Sequence, residues 1–307
     1  MRPLVLGGML LSAAFIVGCS ADTIQAPSAE TARLERGGRP AGSDLTLTTI
    51  DVPNSIFTSA QGISPGGDIV GTYTDGNGAT HGFLLRDGVF TAIDYPGAQG
   101  TEARGIGADG SIVGDYWNAG EPAVNFHGYR RTPDGDYIAV NYPNHTSTVG
   151  QRILPDGTIL GCRHDENMTS TMRGVVISGA SSREISQFAS MINGGTPNGQ
   201  RLVGLYTNTS VTPSRREGFV LEDGVFTPFV VPGSSLTAAW DINPLGEIVG
   251  VYRTSTGAHG FLRRGDDYTT IDFPGASSTS AFGINARGDI VGSYVISGTT
   301  HGFVARR

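Results

Sequence analysis

The sequence contains no lysine, so each of its 21 basic residues is an arginine. This absence excludes Schiff-base chemistry, a lysine general base and a phosphate-binding loop that ends in lysine. Charged residues make up only 16% of the chain, and the net charge is −7. Polyanions bind to a basic field, and no run of arginines here is longer than two. We therefore expect no nucleic acid as a partner.

Cysteine is also scarce, with two in the whole chain. Two cysteines cannot form the disulfide framework of a small secreted domain. The first, Cys19, follows an apolar run over 4–17 that Arg2 precedes, which is the pattern of an export signal. If Cys19 carries a lipid, as the next motif implies, Cys162 has no partner for an internal disulfide.

Residues 16–19 read Ile-Val-Gly-Cys and resemble the bacterial lipobox. The resemblance implies cleavage before Cys19, lipid on its thiol and new α-amine, and membrane contact through that lipid. Ser20 stands where an aspartate would retain a lipoprotein at the inner membrane, which favours the outer membrane or the cell surface. We therefore expect a signal peptide over 1–18, a lipidated cysteine with a flexible tether over 19–44, and a folded domain over 45–307. An ordinary secretory signal is the alternative.

Glycine, in contrast, is abundant, at 46 of 307 residues. Many of these glycines belong to a repeat whose clearest copies are GISPGGDIVG at 62–71 and GINARGDIVG at 283–292. A second motif follows each copy, such as His-Gly-Phe at 81–83 and at 301–303. Six copies recur at intervals of 42 to 47 residues, and the glycines that end them are Gly71, Gly114, Gly161, Gly204, Gly250 and Gly292.

Each unit holds four short β-rich runs separated by turn sequences such as Pro-Gly-Gly and Asp-Gly. Four antiparallel strands in about 44 residues are typical of a β-propeller blade. The last unit lacks its fourth strand, whereas an orphan strand over 45–53 precedes the first. We therefore predict an all-β fold: a six-bladed β-propeller of four-stranded antiparallel blades, whose last blade is closed in 1+3 fashion by the N-terminal strand 45–53.

The repeat resembles the bacterial extracellular HAF-type repeat family, in which an Ile-Asn run ending in Ile-Val-Gly precedes a His-small-Phe triplet. Here the triplet is His-Gly-Phe, and the resemblance covers about 45–307. It implies a propeller and export from the cell. It implies no particular activity.

Histidine occurs in the second motif of four units, and each of them has aspartate or asparagine on the fourth strand. The two units without this histidine also lack that partner, which indicates structural pairing, with a metal site as the alternative. No metal or other cofactor is expected. The predicted pairs are His81 with Asp94, His127 with Asn141, His259 with Asp272, and His301 with Asp51. Five tyrosines that follow the motif glycine are expected to pack between blades: Tyr73, Tyr116, Tyr206, Tyr252 and Tyr294.

The repeat is most irregular between the second and third strands of blades two to four, where the loops are longest. In a propeller these loops share one face with the connections between blades. Indole rings stack on sugars and arginine grips carboxylates, so we predict a ligand site on this face. The predicted binding residues are Trp117, Glu121, Arg163, His164, Asp165, Glu166, Arg173, Arg215 and Arg216, with Arg104, Gln151 and Trp240 on the innermost strands.

Three functions stay open on this evidence. The first is a non-catalytic, lipid-anchored module that binds a glycan or an envelope or extracellular protein. The second is a polysaccharide lyase in which His145, His164, Tyr116 and Arg163 supply a base, an acid and neutralisation of a carboxylate. The third is a scaffold without a small ligand. A monomer is expected in each case.

Overall fold

A computed structural model describes residues 45–307, which form six four-stranded antiparallel sheets in a ring. The predicted all-β, six-bladed propeller is therefore confirmed. The predicted signal peptide, Cys19 and tether lie outside the described residues. Within 45–307 no helix has the length and apolar character needed to cross a membrane.

The strands of blades one to three run in chain order, with a single short helix in blade three. They are β2 (Phe57–Ile63), β3 (Ile69–Thr74), β4 (Thr80–Arg86), β5 (Val89–Ile93), β6 (Gly100–Ile106), β7 (Ile112–Trp117), β8 (His127–Arg131), β9 (Tyr137–Val140), β10 (Ser147–Ile153), β11 (Ile159–His164), α1 (Met168–Thr171), β12 (Arg173–Ser178) and β13 (Ser181–Glu184).

Blades four and five follow the same order, and blade six joins the two ends of the described chain. The remaining strands are β14 (Ser190–Gly195), β15 (Arg201–Asn208), β16 (Arg215–Glu222), β17 (Val225–Phe229), β18 (Leu236–Ile242), β19 (Ile248–Thr254), β20 (Gly257–Arg264), β21 (Asp267–Ile271), β22 (Ser278–Ile284), β23 (Ile290–Ile296), β24 (Thr299–Arg306) and β1 (Thr46–Ile50).

The ring is closed by β1, which pairs antiparallel with β24 in a register that runs from Thr46 opposite Arg306 to Ile50 opposite Gly302. The N-terminal strand thus supplies the fourth strand of blade six, as predicted. Side chains reinforce this closure, since the hydroxyls of Thr49 and Tyr294 lie 2.7 Å apart. Without β1, the third strand β24 would be the outer edge of blade six, whereas with β1 in place β24 is paired on both sides.

The glycine that ends the repeat motif is explained by close packing inside each blade. A Cβ on Gly71 would lie 2.7 Å from Cε1 of Phe83, and the carbonyl oxygen of Ser59 is closer still. Phe83 is the aromatic residue of the second motif and is fully buried. The two motifs therefore form one packing unit, because the aromatic ring of Phe83 fills the space that a side chain at position 71 would occupy.

A threonine on the innermost strand ties most blades to the connection that precedes them. Its hydroxyl accepts a hydrogen bond from a backbone N–H of that connection, as Thr101 does from Tyr95 at 2.9 Å. In blade four a serine, Ser190, takes the position and accepts from Gly174 N–H instead. The other four bonds run from Val52 to Thr58, Tyr142 to Thr148, Val231 to Thr237 and Phe273 to Thr279.

Every innermost strand carries a β-bulge, and the residue after the bulge lies at the ring axis. In four blades this residue is glycine, and a Cβ on Gly105 would lie 2.6 Å from the Gln151 carbonyl oxygen of the next blade. The inner strands of these neighbouring blades therefore approach backbone to backbone. Blades three and five depart from this rule, with Arg152 and Asp241 in place of glycine.

Arg152 and Asp241 form a clasp across the axis. Arg152 Nε donates to Asp241 Oδ2 at 3.2 Å, and the two side chains are each 11% exposed. The other four guanidinium N–H groups donate to backbone carbonyl oxygens of blades one, two, three and six. Asp241 also accepts from the backbone N–H groups of Ile242 and Ile284. One guanidinium therefore joins five of the six blades.

We predict that Arg152→Met lowers the free energy of unfolding by about 3–5 kcal/mol, because it leaves a buried carboxylate and several carbonyls without their donor. Urea denaturation measures the change. Adding Asp241→Leu should recover part of the loss, since the unpaired charge is then gone. Arg183→Met, at an exposed position of β13, is the control and should stay within about 0.5 kcal/mol of the unmodified chain. An equal loss of unfolding free energy in Arg152→Met and in Arg183→Met would contradict the clasp.

Candidate functional site

One face of the ring carries the loops between the second and third strands, together with the connections between blades; we call it the loop face. The antiparallel order of the strands puts the tight turns between first and second strands on the opposite face. The three long loops cover 118–126, 165–172 and 209–214, in blades two, three and four. In blades five and six the same connection has two residues. The asymmetry predicted from the sequence is thus present on this face.

Blades one, five and six share a Tyr–His–Asp set on the loop face. In blade one, His81 Nδ1 lies 2.7 Å from Asp94 Oδ1, and its ring stacks on Tyr73 with 5.0 Å between centroids. The sets of blades five and six have the same form: His259 with Asp272 at 2.9 Å and Tyr252 at 5.1 Å, and His301 with Asp51 at 2.9 Å and Tyr294 at 5.2 Å. Three of the predicted pairs therefore lie where the repeat places them.

The fourth predicted pair has a different partner. His127 does not use Asn141: its Nε2 lies 2.8 Å from Glu121 Oε2. Glu121 belongs to the long loop of blade two, which folds back over His127 and brings a carboxylate to it. An ionised acceptor makes a stronger hydrogen bond than an amide, so the loop carboxylate takes the histidine. Glu121, expected to bind a ligand, is thereby engaged within its own blade.

The repeat tyrosines pack between a blade and the connection before it. The ring of Tyr116 stacks on Tyr95 with 3.7 Å between centroids, and that of Tyr294 stacks on Phe273 at 3.6 Å. Tyr116 is 9% exposed, and burial together with its hydrogen bond to Tyr95 raises its pKa above the ordinary value. This position does not suit a tyrosine that must gain and lose a proton during a lyase reaction.

In blade three an ion pair replaces the aromatic set. Arg163 stands at the tyrosine position, and its Nε donates to Glu184 Oε1 at 2.8 Å. Its Nη2 reaches the same oxygen, and its Nη1 donates to the Thr171 carbonyl at 2.6 Å. Arg173, at the histidine position, donates to the carbonyls of Ser170 and Met172. Both predicted ligand-binding arginines are thus committed to holding the loop of α1.

His164 is fully buried and therefore does not reach the surface that the lyase hypothesis needs. Its Nδ1 lies 3.2 Å from the Asp165 carbonyl oxygen, and its ring meets the edge of Phe126. Burial lowers the pKa of His164, although the Asp165 carbonyl opposes this effect. The neutral imidazole is a packing residue between blades two and three.

His145 and Asp165 form a partly exposed pair at the entrance of blade three. His145 Nδ1 lies 3.0 Å from Asp165 Oδ2, and the Thr146 N–H donates to Asp165 Oδ1 at 3.1 Å. Partial burial raises the pKa of Asp165, but these hydrogen bonds outweigh it, so the net shift is downward. Asp165 therefore stays ionised. The side chain of Glu166, next in the chain, is exposed on the loop face.

Blade four builds a second charged network around Glu217, which stands at the histidine position. Glu217 accepts from Tyr206 Oη at 2.7 Å, from Asn208 Nδ2 at 3.0 Å and from Arg215 Nε at 2.7 Å. Burial raises the pKa of Glu217, yet these donors lower it by more. Arg215 remains 41% exposed in side-chain area, and Arg216 is half-buried beside it.

Trp117 ends β7 and is half-buried at the boundary of blades two and three. Its ring meets Phe126 edge to face at 6.1 Å, and it occupies space left by Gly100. Phe126 in turn contacts His164, so an aromatic layer runs beneath the long loop of blade two. The exposed part of Trp117 gives this side of the loop face an apolar surface.

The three predicted residues of the innermost strands are all buried: Arg104 is 4%, Gln151 2% and Trp240 4% exposed. Arg104 donates to Glu102 Oε2 through Nη2 and to Asp115 Oδ1 through Nε. Burial raises the pKa of Asp115 to about 7, although Arg104 opposes the shift. These side chains lie inside the ring rather than on the exposed loop face.

Sequence reasoning missed Arg152, Asp241, Glu102 and Asp115, which carry the electrostatics of the interior, and Glu184, which pairs with Arg163 on the outermost strand of blade three. A signal was present for the first two, because they are charged where the repeat otherwise has glycine. Glu102 and Asp115 face each other on β6 and β7. In the other blades that pair of positions is uncharged, as with Val149 opposite Cys162.

Within 45–307 no three histidine, cysteine, aspartate or glutamate side chains come together to hold an ion. Cys162 is buried, and this burial raises the pKa of its thiol to about 12. The thiol is therefore protonated at neutral pH and a poor ligand or nucleophile.

No protein-family model matches the chain, and no curated protein matches it. Among solved structures it is similar to TolB from Acinetobacter baumannii, with a TM-score of 0.52, 11% identity, and 81% of this chain and 54% of that chain covered. A TolB candidate from Agrobacterium tumefaciens gives 0.54, 14% identity and 78% of both chains. AofleA from Arthrobotrys oligospora gives 0.53, 12% identity and 86% of both chains. The chain spans about half the length of the Acinetobacter protein, and these likenesses show the fold alone.

We predict that Asp272→Ala lowers the free energy of unfolding by about 1 kcal/mol, because it removes the acceptor that orients His259 over Tyr252. Thermal or urea denaturation measures the loss. Asp266→Ala is the matched control, since Asp266 lies fully exposed at the neighbouring turn. If both variants keep the stability of the unmodified chain, the Tyr–His–Asp set has no structural role.

The pKa of Asp115 predicts a specific pH dependence. Its ordinary pKa is about 3.9, so between pH 4 and 7 the folded chain holds a proton that the unfolded chain releases. The contribution of Asp115 to stability therefore falls as pH rises through this window. Relative to Asp115→Asn, the unmodified chain should lose stability from pH 4.5 to 7.5 in urea denaturation. A difference that is constant with pH would contradict a raised pKa.

Proposed function

We propose that this protein is an exported, lipid-anchored β-propeller that acts as a non-catalytic binding module for a glycan or for an envelope or extracellular protein. One observation carries the proposal: on the loop face the Tyr–His–Asp set is intact in blades one, five and six and is replaced in blades three and four. In blade two Tyr116 and His127 remain, and Glu121 of the long loop takes the place of the aspartate. The replacement is by charged networks under long loops, and parts of these networks stay exposed. Variation confined to one side of an otherwise regular ring is typical of a binding surface.

The loops of blades two to four are also held in place by side-chain bonds before any ligand binds. Glu121, Arg163 and Glu217 fix their loops from beneath through bonds to His127, Glu184 and Arg215, as described above. A surface whose side chains are already ordered loses less entropy when a ligand binds. The half-buried Trp117, the exposed Glu166 and the exposed Arg215 then offer an apolar ring, a carboxylate and a guanidinium. These groups suit sugar rings and acidic or basic partner side chains alike.

The lyase alternative is less well supported, because three of its four residues are buried or already engaged and do not reach a common exposed surface. Tyr116 and His164 are buried, Arg163 is bound to Glu184, and His145 alone remains partly exposed. A base and an acid must both reach the substrate, within about 3 Å. A scaffold without a small ligand would use the same loop face to bind a protein. The binding experiment below distinguishes it from a module that binds a glycan.

The proposed location follows from the sequence around Cys19, which resembles a lipobox, and from the export implied by the repeat family. The lipid on Cys19 would place the propeller at the bacterial envelope, on the outer membrane or the cell surface. Metabolic labelling with a palmitate analogue tests this directly, and a Cys19→Ala chain should take up no label. Label in both chains, or in neither, would contradict the lipid anchor.

The binding proposal is tested by presenting the full chain in detergent micelles to a glycan array and to immobilised envelope proteins. Arg215→Ala and Trp117→Ala should weaken retention about tenfold, the loss expected when one well-placed contact is removed. Arg287→Ala, an exposed arginine on the opposite, turn-bearing face, should bind like the unmodified chain. Release of unsaturated uronate from uronate polymers, seen by its ultraviolet absorbance, would instead favour the lyase. Retention that is insensitive to both loop-face variants would refute this site.

A further inference from the structure

The six β-bulges place one side chain each around the propeller axis, and we call this set the axial ring. Its members are Gln61, Arg104, Gln151, Asn193, Trp240 and Phe282. Each innermost strand runs from the loop face towards the turn-bearing face, and the bulge comes before the residue of the Arg152–Asp241 clasp. The axial ring therefore lies on the loop-face side of that clasp, which forms its floor.

Two neighbouring members of the axial ring have buried polar atoms that find no partner among residues 45–307. Asn193 is 0% exposed and its Oδ1 is unpaired, while Trp240 is 4% exposed and its Nε1 is unpaired. Asn193 Nδ2 donates to the Ala239 carbonyl at 2.8 Å, which fixes the amide and leaves Oδ1 as a held acceptor. The Trp240 ring is held edge to face against Phe282 at 5.0 Å.

Other polar atoms of the same region are only partly satisfied. Gln151 Nε2 finds just the Met191 sulfur, at 3.6 Å, and a thioether is a weak acceptor. Asp115, which holds Arg104, has an unpaired Oδ2 and is 0% exposed. Each buried polar atom without a partner costs about 1–3 kcal/mol, so folded proteins pair such atoms with protein, water or ligand. Blades two to five therefore each contribute to this region one buried polar atom that is unpaired or weakly paired among the described residues.

The charges of the region select the class of ligand. Arg104 is matched by Glu102 and Asp115, and Arg152 is matched by Asp241, so no cation is left for an anionic ligand. A hydroxyl group can donate to Asn193 Oδ1 and can accept from Trp240 Nε1, whereas an ammonium group only donates and a carboxylate only accepts. The indole and the Phe282 ring, packed edge to face at 5.0 Å, supply apolar surface of the kind on which sugar rings pack.

We propose that the axial ring binds one uncharged, hydroxyl-rich ring of monosaccharide size, such as the terminal residue of a neutral glycan. Gln61 is the one member of the axial ring that is not buried, so it marks where solvent reaches the site. The proposal rests on the glycan form of the proposed function and adds a second contact on the axial side of the loop face.

The test uses the fluorescence of Trp240. The chain has two tryptophans, so Trp117→Phe leaves Trp240 as the sole tryptophan, whose emission is excited selectively at wavelengths that tyrosine does not absorb. The full chain with this substitution, in detergent micelles, is titrated separately with glucose, galactose, mannose and N-acetylglucosamine. We expect at least one of these sugars to change the emission saturably.

Two further substitutions in the same background localise the response. Asn193→Leu removes the held acceptor and should weaken the saturable response about tenfold, as expected where a site hydrogen-bonds a hydroxyl. Gln151→Met replaces the weakly bonded amide by an apolar side chain of similar size and should also weaken it, which covers the case in which the first variant does not fold. Gln200→Met, on an exposed turn of the opposite face, is the control and should leave it unchanged.

The outcomes separate this proposal from the proposed function. No change in Trp240 emission with any of the four sugars up to about 100 mM, beyond even weak binding, overturns the axial site. If glycans are still retained on the array in a manner that depends on Arg215, the proposed function stands. If the array is also empty, the glycan form of that function fails as well. An emission change of equal size in the control and in both axial variants would also overturn the site.

Discussion

The close approach of the innermost strands at the axis is the constraint on which the rest of the ring depends. A Cβ at Gly62, Gly105 or Gly194 would meet backbone atoms of the next blade at 2.6–2.7 Å. The glycines therefore set the spacing of neighbouring blades. At that spacing one guanidinium reaches acceptors in five blades, which is why Arg152 can close the axis. Blade packing and the axial clasp are consequences of the same short distance.

The fold was predictable because its main contacts repeat. The motif glycine and the aromatic residue of the second motif recur together, since Gly71 leaves the space that Phe83 fills. A period of about 44 residues with four β-rich runs then specifies a blade, and the orphan strand over 45–53 specifies the closure. The clasp was not predictable in this way. Arg152 and Asp241 lie 89 residues apart, and only closure of the ring brings blades three and five together across the axis.

The candidate site shows why deviation from a repeat is an incomplete guide to ligand-binding residues. Arg163 and Glu184 both differ from the repeat, and in the structure they compensate each other. Glu217 and Arg215 do the same in blade four. A single sequence shows such substitutions as separate irregularities, because the partners are apart in the chain. Three of the four histidine pairs were predictable, since the presence and absence of histidine and aspartate could be compared across six copies of one geometry. The stacking of each histidine on the repeat tyrosine was not predicted.

These contacts also limit where a ligand can bind. Because the clasp and the backbone-to-backbone contacts close the axis, a ligand cannot pass from one face to the other and must enter and leave on the same side. The loop face has both the long loops and the access to the axial ring, whereas the opposite face has tight turns held by regular hydrogen bonds. A glycan whose chain lies on the loops of blades two to four would reach the axial ring only with its end. The proposed axial site therefore predicts recognition of a chain terminus rather than of an internal segment.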